Sequence, residues 1–540
     1  MTTGILFLGL TALVYFKPEY TIYNSRVATI AILLTVHTLW KIIYQLDLYP
    51  RFFTPLKHIQ TPSRRRWLTG NTESLFNETP HQKIRQWVKS CPNEGLFRYY
   101  MVGNLERVVL TSPNALREVL VEKAYDFAKP ELVRTSMRRI VGDGILIAEG
   151  DDHKKQRKDL MPAFSYRHIK DLYPIFWSKS SEMVKLIKED LADRQSSNTI
   201  DNVVQVNNWS SRATLDIIGL AGMGQDFDSL QNPNNRLNQS YRQIITSASF
   251  TDKLIFMIGL VLSIPGLVFK LPLKRNIQIK KGGEFIRETA RQMIRKKKAN
   301  MDSKDDTGVD IMSIAIQNGS FEEENLVAQL MTLLAAGHET TSNALQWSVY
   351  ALCKNPKVQS RLRVEIRSNL PPISLENPEP IAAATIDSLP YLNAVCNEVL
   401  RFYPSVPNSI RVALKDTTLV GKFIPKDTAF IISMDLMNHM EELWGPDADE
   451  FNPDRFMGPG KANTGGATNN YAFMSFLHGP RSCIGQSFAK AELACLLAAV
   501  VGSFELELKD PHAPLLLREG GATVSPRDGV LAKFTKLDGW

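Results

Sequence analysis

Cysteine is scarce in this chain. There are five in 540 residues, Cys91, Cys353, Cys396, Cys483 and Cys495, odd in number and with no Cys-x-x-Cys pair among them. That pattern excludes a disulfide framework and a thiolate zinc site, and it points to a reducing compartment. A phosphate-binding glycine loop is missing too, as is any nucleic-acid-binding module. The excess of 64 Lys and Arg over 56 Asp and Glu, a net charge of +8, therefore suits a membrane surface or an acidic protein partner. With no flavin or nicotinamide motif, redox chemistry here would have to draw its electrons from another protein. No basic residues precede the first apolar stretch, which argues against a cleaved secretory leader. Internal repeats and low-complexity tracts are absent.

What is present is an ordinary globular composition, 44% hydrophobic and 22% charged, enough for a sizeable core. Two apolar stretches, 4–16 and 27–44, lie near the N-terminus. Only the second approaches the ~20 residues a bilayer span needs. The first suits a partial span, an interfacial helix or half of a hairpin. Arg51, Lys57, Arg64, Arg65 and Arg66 follow, the bias expected on the cytosolic side of a membrane. The expected organisation is a membrane anchor over 1–46, a proline-containing basic linker over 47–71 and a single catalytic domain over 72–540 facing the cytosol. Helical periodicity dominates that domain, with strand-like runs at 96–102 and 107–110, so the fold class is mainly α with minor β.

The most informative segment is Phe476-Leu-His-Gly479-Pro-Arg481-Ser-Cys483-Ile-Gly485, which runs into an apolar helix pattern. A thiolate is the metal-binding form of cysteine, and a helix N-terminus with a nearby cation lowers a thiol pKa. The two glycines let the backbone turn and approach a flat cofactor. The spacing Phe-x-x-Gly-x-Arg-x-Cys-x-Gly resembles the haem-ligand loop of the cytochrome P450 monooxygenases at all five fixed positions. The resemblance implies heme b with Cys483 as the axial iron ligand, favouring O–O cleavage, and Arg481 on a haem propionate.

Upstream, Ser320 and Glu323 have capping-box spacing, and an apolar pattern then continues to Cys353 before Asn355-Pro356 stops it. About 30 residues of helix reach about 45 Å, the width of a domain. Its middle, Ala335-Ala336-Gly337-His338-Glu339-Thr340-Thr341, is thinned by small residues. The segment resembles the family's oxygen groove, which implies that Gly337 makes room for O2 and that Glu339 and Thr340 form an acid–alcohol relay for protons. Further on, Glu398 and Arg401 share a helix face, and Arg455 follows in Phe-Asn-Pro-Asp-Arg-Phe. The resemblance implies a structural Glu398–Arg401–Arg455 triad that holds the thiolate loop. It also implies propionate contacts from Arg157 and Arg411, and from His153, where the family often has tryptophan.

Lys154, Lys155, Arg157, Lys158 and Lys490 fall where the family docks an acidic NADPH-dependent reductase, which would supply the electrons. The charge-free run 254–269, broken by Pro265-Gly266, falls near the family's substrate entrance and fits either a membrane contact or a core helix. Substrate choice is expected from 134–147, 405–410 and 521–529. The implied activity is insertion of one oxygen from O2 into a lipophilic substrate at the endoplasmic-reticulum membrane, in terpenoid or polyketide secondary metabolism or as a fatty-acid, sterol or xenobiotic hydroxylase. A haem-thiolate isomerase or dehydratase working without O2 is the alternative; Thr340 favours the oxygenase. A non-enzymatic haem or membrane scaffold is a third reading, disfavoured by the thinned helix.

Overall fold

A computed structural model describes the chain from Ser25 to Trp540 except residues 64, 72–79, 197–201, 246–248, 262–264, 303–309, 374–379 and 519–521, together with scattered positions before Ser25. The first apolar stretch, 4–16, thus falls mostly outside the described residues.

One helix dominates. Glu323–Lys354 is 32 residues long and mostly buried, its many apolar and small residues being joined in the interior by polar ones such as Gln329, His338 and Asn343. It packs against Val206–Met223, Lys274–Asp302, Gln486–Ser503 and Glu131–Val141. Its start differs from expectation: Glu322 is the N-cap and makes no side-chain cap bond, so the Ser320–Glu323 capping box does not form. Glu323 and Glu324 occupy the first turn instead and complement the helix dipole. The end agrees with the sequence, with Asn355 as C-cap and Pro356 opening the next helix, Pro356–Asn369.

The β structure is minor. Leu96–Tyr100, Glu106–Leu110, Ala429–Ser433, Asn408–Ala413 and Phe127–Ala128 form a five-stranded sheet in that spatial order. All its pairings are antiparallel except Glu106–Leu110 with Ala429–Ser433. Val203–Gln205, Leu531–Lys536 and Phe504–Leu508 make a three-stranded sheet, and Thr417–Leu419 with Lys422–Ile424 a hairpin.

The segment 47–71 is not an extended linker. Leu46, Leu56 and Ile59 are buried, and the Asn104 amide donates to the carbonyl of Leu46 at 2.7 Å. The Arg98 N–H donates to the carbonyl of Gln60 at 2.8 Å, so this stretch is folded onto the edge of the five-stranded sheet. Among the described residues, one helical run, Arg26–Phe53, is long and apolar enough to cross a membrane. The expected substrate loop 134–147 begins as helix, Glu131–Val141. The run 254–269 falls in helices Phe250–Val261 and Pro265–Val268, with 262–264 outside the described residues. Phe250, Leu254, Ile258 and Leu267 are exposed there, which excludes a fully buried core helix.

Helix Gln486–Ser503 carries a cost that the fold tolerates. Glu492 has no exposed surface, and neither carboxyl oxygen has a hydrogen-bond partner. Burial raises its carboxyl pKa well above 4.5, with the nearby Thr341 hydroxyl offsetting a little. A carboxyl whose folded pKa is raised destabilises the protein once pH exceeds its unfolded value, because the unfolded chain can ionise and the folded chain resists it. Glu492→Gln should therefore gain stability over the native chain by up to about 1.4 kcal/mol for each pH unit between the unfolded-state value and the raised folded-state value, and no further above it. Near pH 4 the gain should vanish, which urea unfolding at several pH values would measure.

Candidate haem-thiolate site

The loop holding Cys483 is shaped by two backbone features. Leu477 has φ of +58° and Gly479 φ of +78°. A bulky residue in that region is strained. Gly479 also has no room for a side chain, since a Cβ there would overlap the Leu120 carbonyl oxygen. The loop closes on itself through the Cys483 N–H to the Phe476 carbonyl at 2.8 Å. Gly485 then caps helix Gln486–Ser503.

Of the five cysteines, Cys483 is exposed, Cys396 and Cys495 are buried, and Cys91 and Cys353 lie between. Cys483 is open toward one side and surrounded by protein at longer range. The balance of effects on its thiol is the reverse of the sequence expectation: desolvation pushes the pKa up, opposed by the Gly485 N–H and the Arg157 guanidinium. The cradle thus supplies the donor and the cation the sequence suggested, and burial outweighs them.

Basic side chains gather beside this loop. Arg481 is buried, donates to the Phe127 carbonyl at 2.8 Å and pairs with Glu149 at 2.5 Å, while its Nε has no hydrogen-bond partner. Arg411 is buried on strand Asn408–Ala413, and burial and Arg481 pull its pKa down to about 10. Lys129 is pulled down to about 7 by burial, Arg411 and Arg481, and His153 to about 4 by burial, Arg481, Lys129 and Arg157. Glu149 is the carboxylate that opposes this repulsion at each of the three. Two arginines and a lysine that is only partly charged near neutral pH share one acid, an excess of positive charge that a ligand with carboxylates would offset. An exposed sulfur, a glycine-shaped loop and an under-neutralised cation nest therefore fit a haem with its two propionates.

The other expected contacts are placed less simply. Arg157 donates to the carbonyl of Ser482 at 2.5 Å, so it braces the cysteine loop. His153 shares a 3.2 Å hydrogen bond with the Tyr125 hydroxyl. Lys129 and Glu149 were not singled out in the sequence. A lone Lys-Pro dipeptide and a helix N-cap carry no signal of their own.

The middle of the central helix is uncovered where the rest is closed. Residues Leu326 to Leu334 are buried, whereas Ala336 is exposed and Ala335, Gly337, Glu339 and Thr340 are half-buried. The expected relay is not assembled as a pair. The Thr340 hydroxyl donates back to the Ala336 carbonyl at 2.7 Å. Glu339 accepts from Arg518 at 2.6 Å and from the Thr523 hydroxyl at 2.7 Å. Gly337 admits a neighbour rather than leaving a gap, since a Cβ there would sit 2.9 Å from Ile218.

Glu398, Arg401 and Arg455 do come together. Arg401 grips both carboxylate oxygens at 2.7 and 2.8 Å, and Arg455 reaches Oε1 at 3.2 Å. Arg401 also donates to the carbonyls of Asn438, Ala448 and Glu450. Asn438, another residue the sequence did not flag, extends the network. Its amide donates to the Arg401 carbonyl and the Ser475 hydroxyl, and its oxygen accepts the Met474 N–H. The triad is thereby bonded to the segment just ahead of the cysteine loop.

On helix Gly150–Leu160, Lys154, Lys155 and Lys158 face solvent. Lys490 does not join them: it lies over the Phe473 ring at 5.3 Å, and burial lowers its pKa. Among the described residues there is no cluster of three or more His, Cys, Asp or Glu able to hold a metal by themselves.

Removing one member of a buried ion pair leaves the other uncompensated, at about 3–5 kcal/mol. Glu398→Ala and Arg401→Ala should each lose about that much stability together with haem retention. Arg401→Lys should fall nearly as far, because an ammonium cannot reproduce the bidentate fork. Denaturant unfolding and the haem-to-protein absorbance ratio would read both effects.

Comparisons with known proteins place the whole chain among its relatives. A family model described as Cytochrome P450 matches residues 61–534. The chain is 61% identical over 538 residues to cytochrome P450 monooxygenase sphH of Aspergillus fumigatus, covering 99% of this chain and 98% of that protein. It is 39% identical over 513 residues to cytochrome P450 monooxygenase FSL4 of Gibberella zeae, covering 92% and 91%. Over 536 residues it is 40% identical to cytochrome P450 monooxygenase FUM15 of Gibberella moniliformis, covering 91% and 88%.

Proposed function

The chain belongs to the cytochrome P450 family and is a haem-dependent monooxygenase, and from that premise we propose that it takes electrons from an NADPH-dependent flavoprotein reductase and inserts one oxygen of O2 into a lipophilic substrate. Haem bound through a thiolate supplies the reductive activation of O2. Cys483 is the ligand in this reading, and its open side chain in a loop beside a cation nest is the observation that carries it. Arg481, Arg411 and His153 hold the propionates, with Arg157 bracing the loop, and Phe476, Gly479 and Gly485 shape it. Gly337, Glu339 and Thr340 line the uncovered stretch of the central helix, where Thr340 and Glu339 handle protons. The exposed Lys154, Lys155 and Lys158 offer the acidic reductase a docking face, which speeds encounter.

The substrate reading is a lipophile of secondary metabolism, terpenoid or polyketide, and it rests on the fungal origin of the similar monooxygenases. The site reading is the endoplasmic-reticulum membrane with the body in the cytosol, supported by the apolar helix Arg26–Phe53. The Phe250–Val261 helix adds to it. This helix packs by the Val102–Asn104 turn, whose Gly103 carbonyl accepts from Gln45 at 3.2 Å, so two exposed apolar surfaces meet on one side.

The reduced, carbon-monoxide-bound difference spectrum of purified protein tests the central reading. Cys483→Ser should lose the thiolate-type band and all NADPH- and O2-dependent product formation, and an unchanged spectrum would overturn it. For the membrane reading, a chain starting at Tyr44 should still sediment with phosphatidylcholine vesicles. Leu254→Glu with Ile258→Glu in that chain should release it.

A further inference from the structure

The carboxylate of Glu339 is gripped from the far end of the chain. Residues 516–518 and 522–527 pair as the two arms of a hairpin, closed by the Arg518 N–H to the Ser525 carbonyl at 2.9 Å, the Arg527 N–H to the Leu516 carbonyl at 2.8 Å and a bridge between Leu517 and Pro526. From it, the Arg518 guanidinium and the Thr523 hydroxyl converge on Oε1 of Glu339, and they also bond each other at 3.1 Å. The same hairpin holds the next residue of the helix by a second route. The Val524 N–H donates to the Ser405 carbonyl at 2.8 Å, and the Ser405 hydroxyl donates to the Thr340 carbonyl at 2.9 Å. Trp347, two turns along the helix, donates its indole N–H to the Val524 carbonyl at 3.1 Å. Glu339 and Arg518 are about one-fifth exposed, so the pair is neither solvated enough to be negligible nor buried enough to be rigid.

We propose that Arg518 and Thr523 are positioning residues that set the aim of the Glu339 carboxylate. The paired arms 516–518 and 522–527 then couple what presses on them to proton delivery at the uncovered stretch of the central helix. With both donors on one oxygen, the Glu339 carboxylate is bonded to the hairpin side chains, while the Thr340 hydroxyl bonds to Ala336. Delivering a proton requires the carboxylate to leave this grip. A substrate seated against Ser405 or the hairpin acts on the residues that hold it. This inference rests on the reading that Glu339 serves the proton path, and the experiment separates the two.

The test uses the haem-loaded full chain with reductase, NADPH and O2 and no organic substrate, and reads the fraction of electrons recovered as hydrogen peroxide. It compares the native chain with Arg518→Leu, Arg518→Lys, Glu339→Gln and the Arg518→Leu/Glu339→Gln pair. A second readout is infrared difference spectroscopy of the protein without reductase. The carboxylate stretching band of residue 339 is followed, with Glu339→Gln as blank and the carbon-monoxide spectrum as the control for intact folding. Arg518→Leu should shift that band in frequency, since a carboxylate stretch responds to the loss of a charge-assisted hydrogen bond. It should also change the peroxide fraction by between about threefold and about tenfold, a partial share of what misplaced catalytic geometry costs. Arg518→Lys should restore most of both. The pair should behave as Glu339→Gln alone, because Arg518 would act through Glu339. An unmoved carboxyl band in Arg518→Leu, or effects that simply multiply in the pair, would overturn the inference. If instead Glu339→Gln leaves the peroxide fraction at the native value while the band still shifts, the proton-path reading itself fails and the inference fails with it.

Discussion

A carboxylate with no exposed surface, Glu398, accepts from two guanidinium groups and from the Asn452 N–H, while Arg401 directs its remaining donors to carbonyls at 438, 448 and 450. Ionised groups this deep are tolerated only when nearly every donor and acceptor is matched. Matching them here fixes, relative to one another, helix Pro390–Phe402, the loop 445–452 and, through Asn438, residues Met474 and Ser475. The cysteine loop begins directly after that point. Its strained turn at Leu477 and Gly479 can persist because its upstream end is held by a network that cannot relax without exposing an unpaired charge.

Against this rigid underside, the basic nest is electrostatically incomplete. Lys129, His153, Arg411 and Arg481 raise one another's cost of carrying charge, and Glu149 is one carboxylate among them. The fold stores that repulsion because the backbone positions come from separate elements: the end of strand Phe127–Ala128, helix Gly150–Leu160, strand Asn408–Ala413 and the cysteine loop. A dianionic cofactor would convert the same arrangement from repulsive to attractive, and its binding would then stabilise the fold.

The opposite wall obeys a different logic. The central helix is closed along most of its length and open at Ala336, and its two polar side chains there are each satisfied elsewhere, Thr340 by its own helix and Glu339 by the C-terminal hairpin. Neither side chain is bonded to the other, so the two ends of the fold share the task of holding them.

Much of this was legible in the residues. The cysteine loop, the course of helix Glu323–Lys354 to Asn355 and the Glu398–Arg401 spacing are set by neighbours within a few positions, and periodicity, caps and short motifs record such information. Misreadings arose where distant parts compete. Ser320 has capping spacing, but the helix starts at Glu323; 47–71 looks like a tether, but the sheet edge takes up Leu56 and Ile59. Lys490 reads as a surface cation, yet it folds over Phe473. Lys129, Glu149, Asn438 and Arg518 gave no local sign at all. The sequence by itself determined which side chain offers sulfur, which helix crosses the core and which acid meets which arginine three residues on. Tertiary structure alone decided that Glu339 would meet an arginine 179 residues away, and that burial would outweigh a helix terminus at Cys483. Desolvation and long-range pairing depend on what the whole chain packs around a group, and no spacing along the chain encodes that.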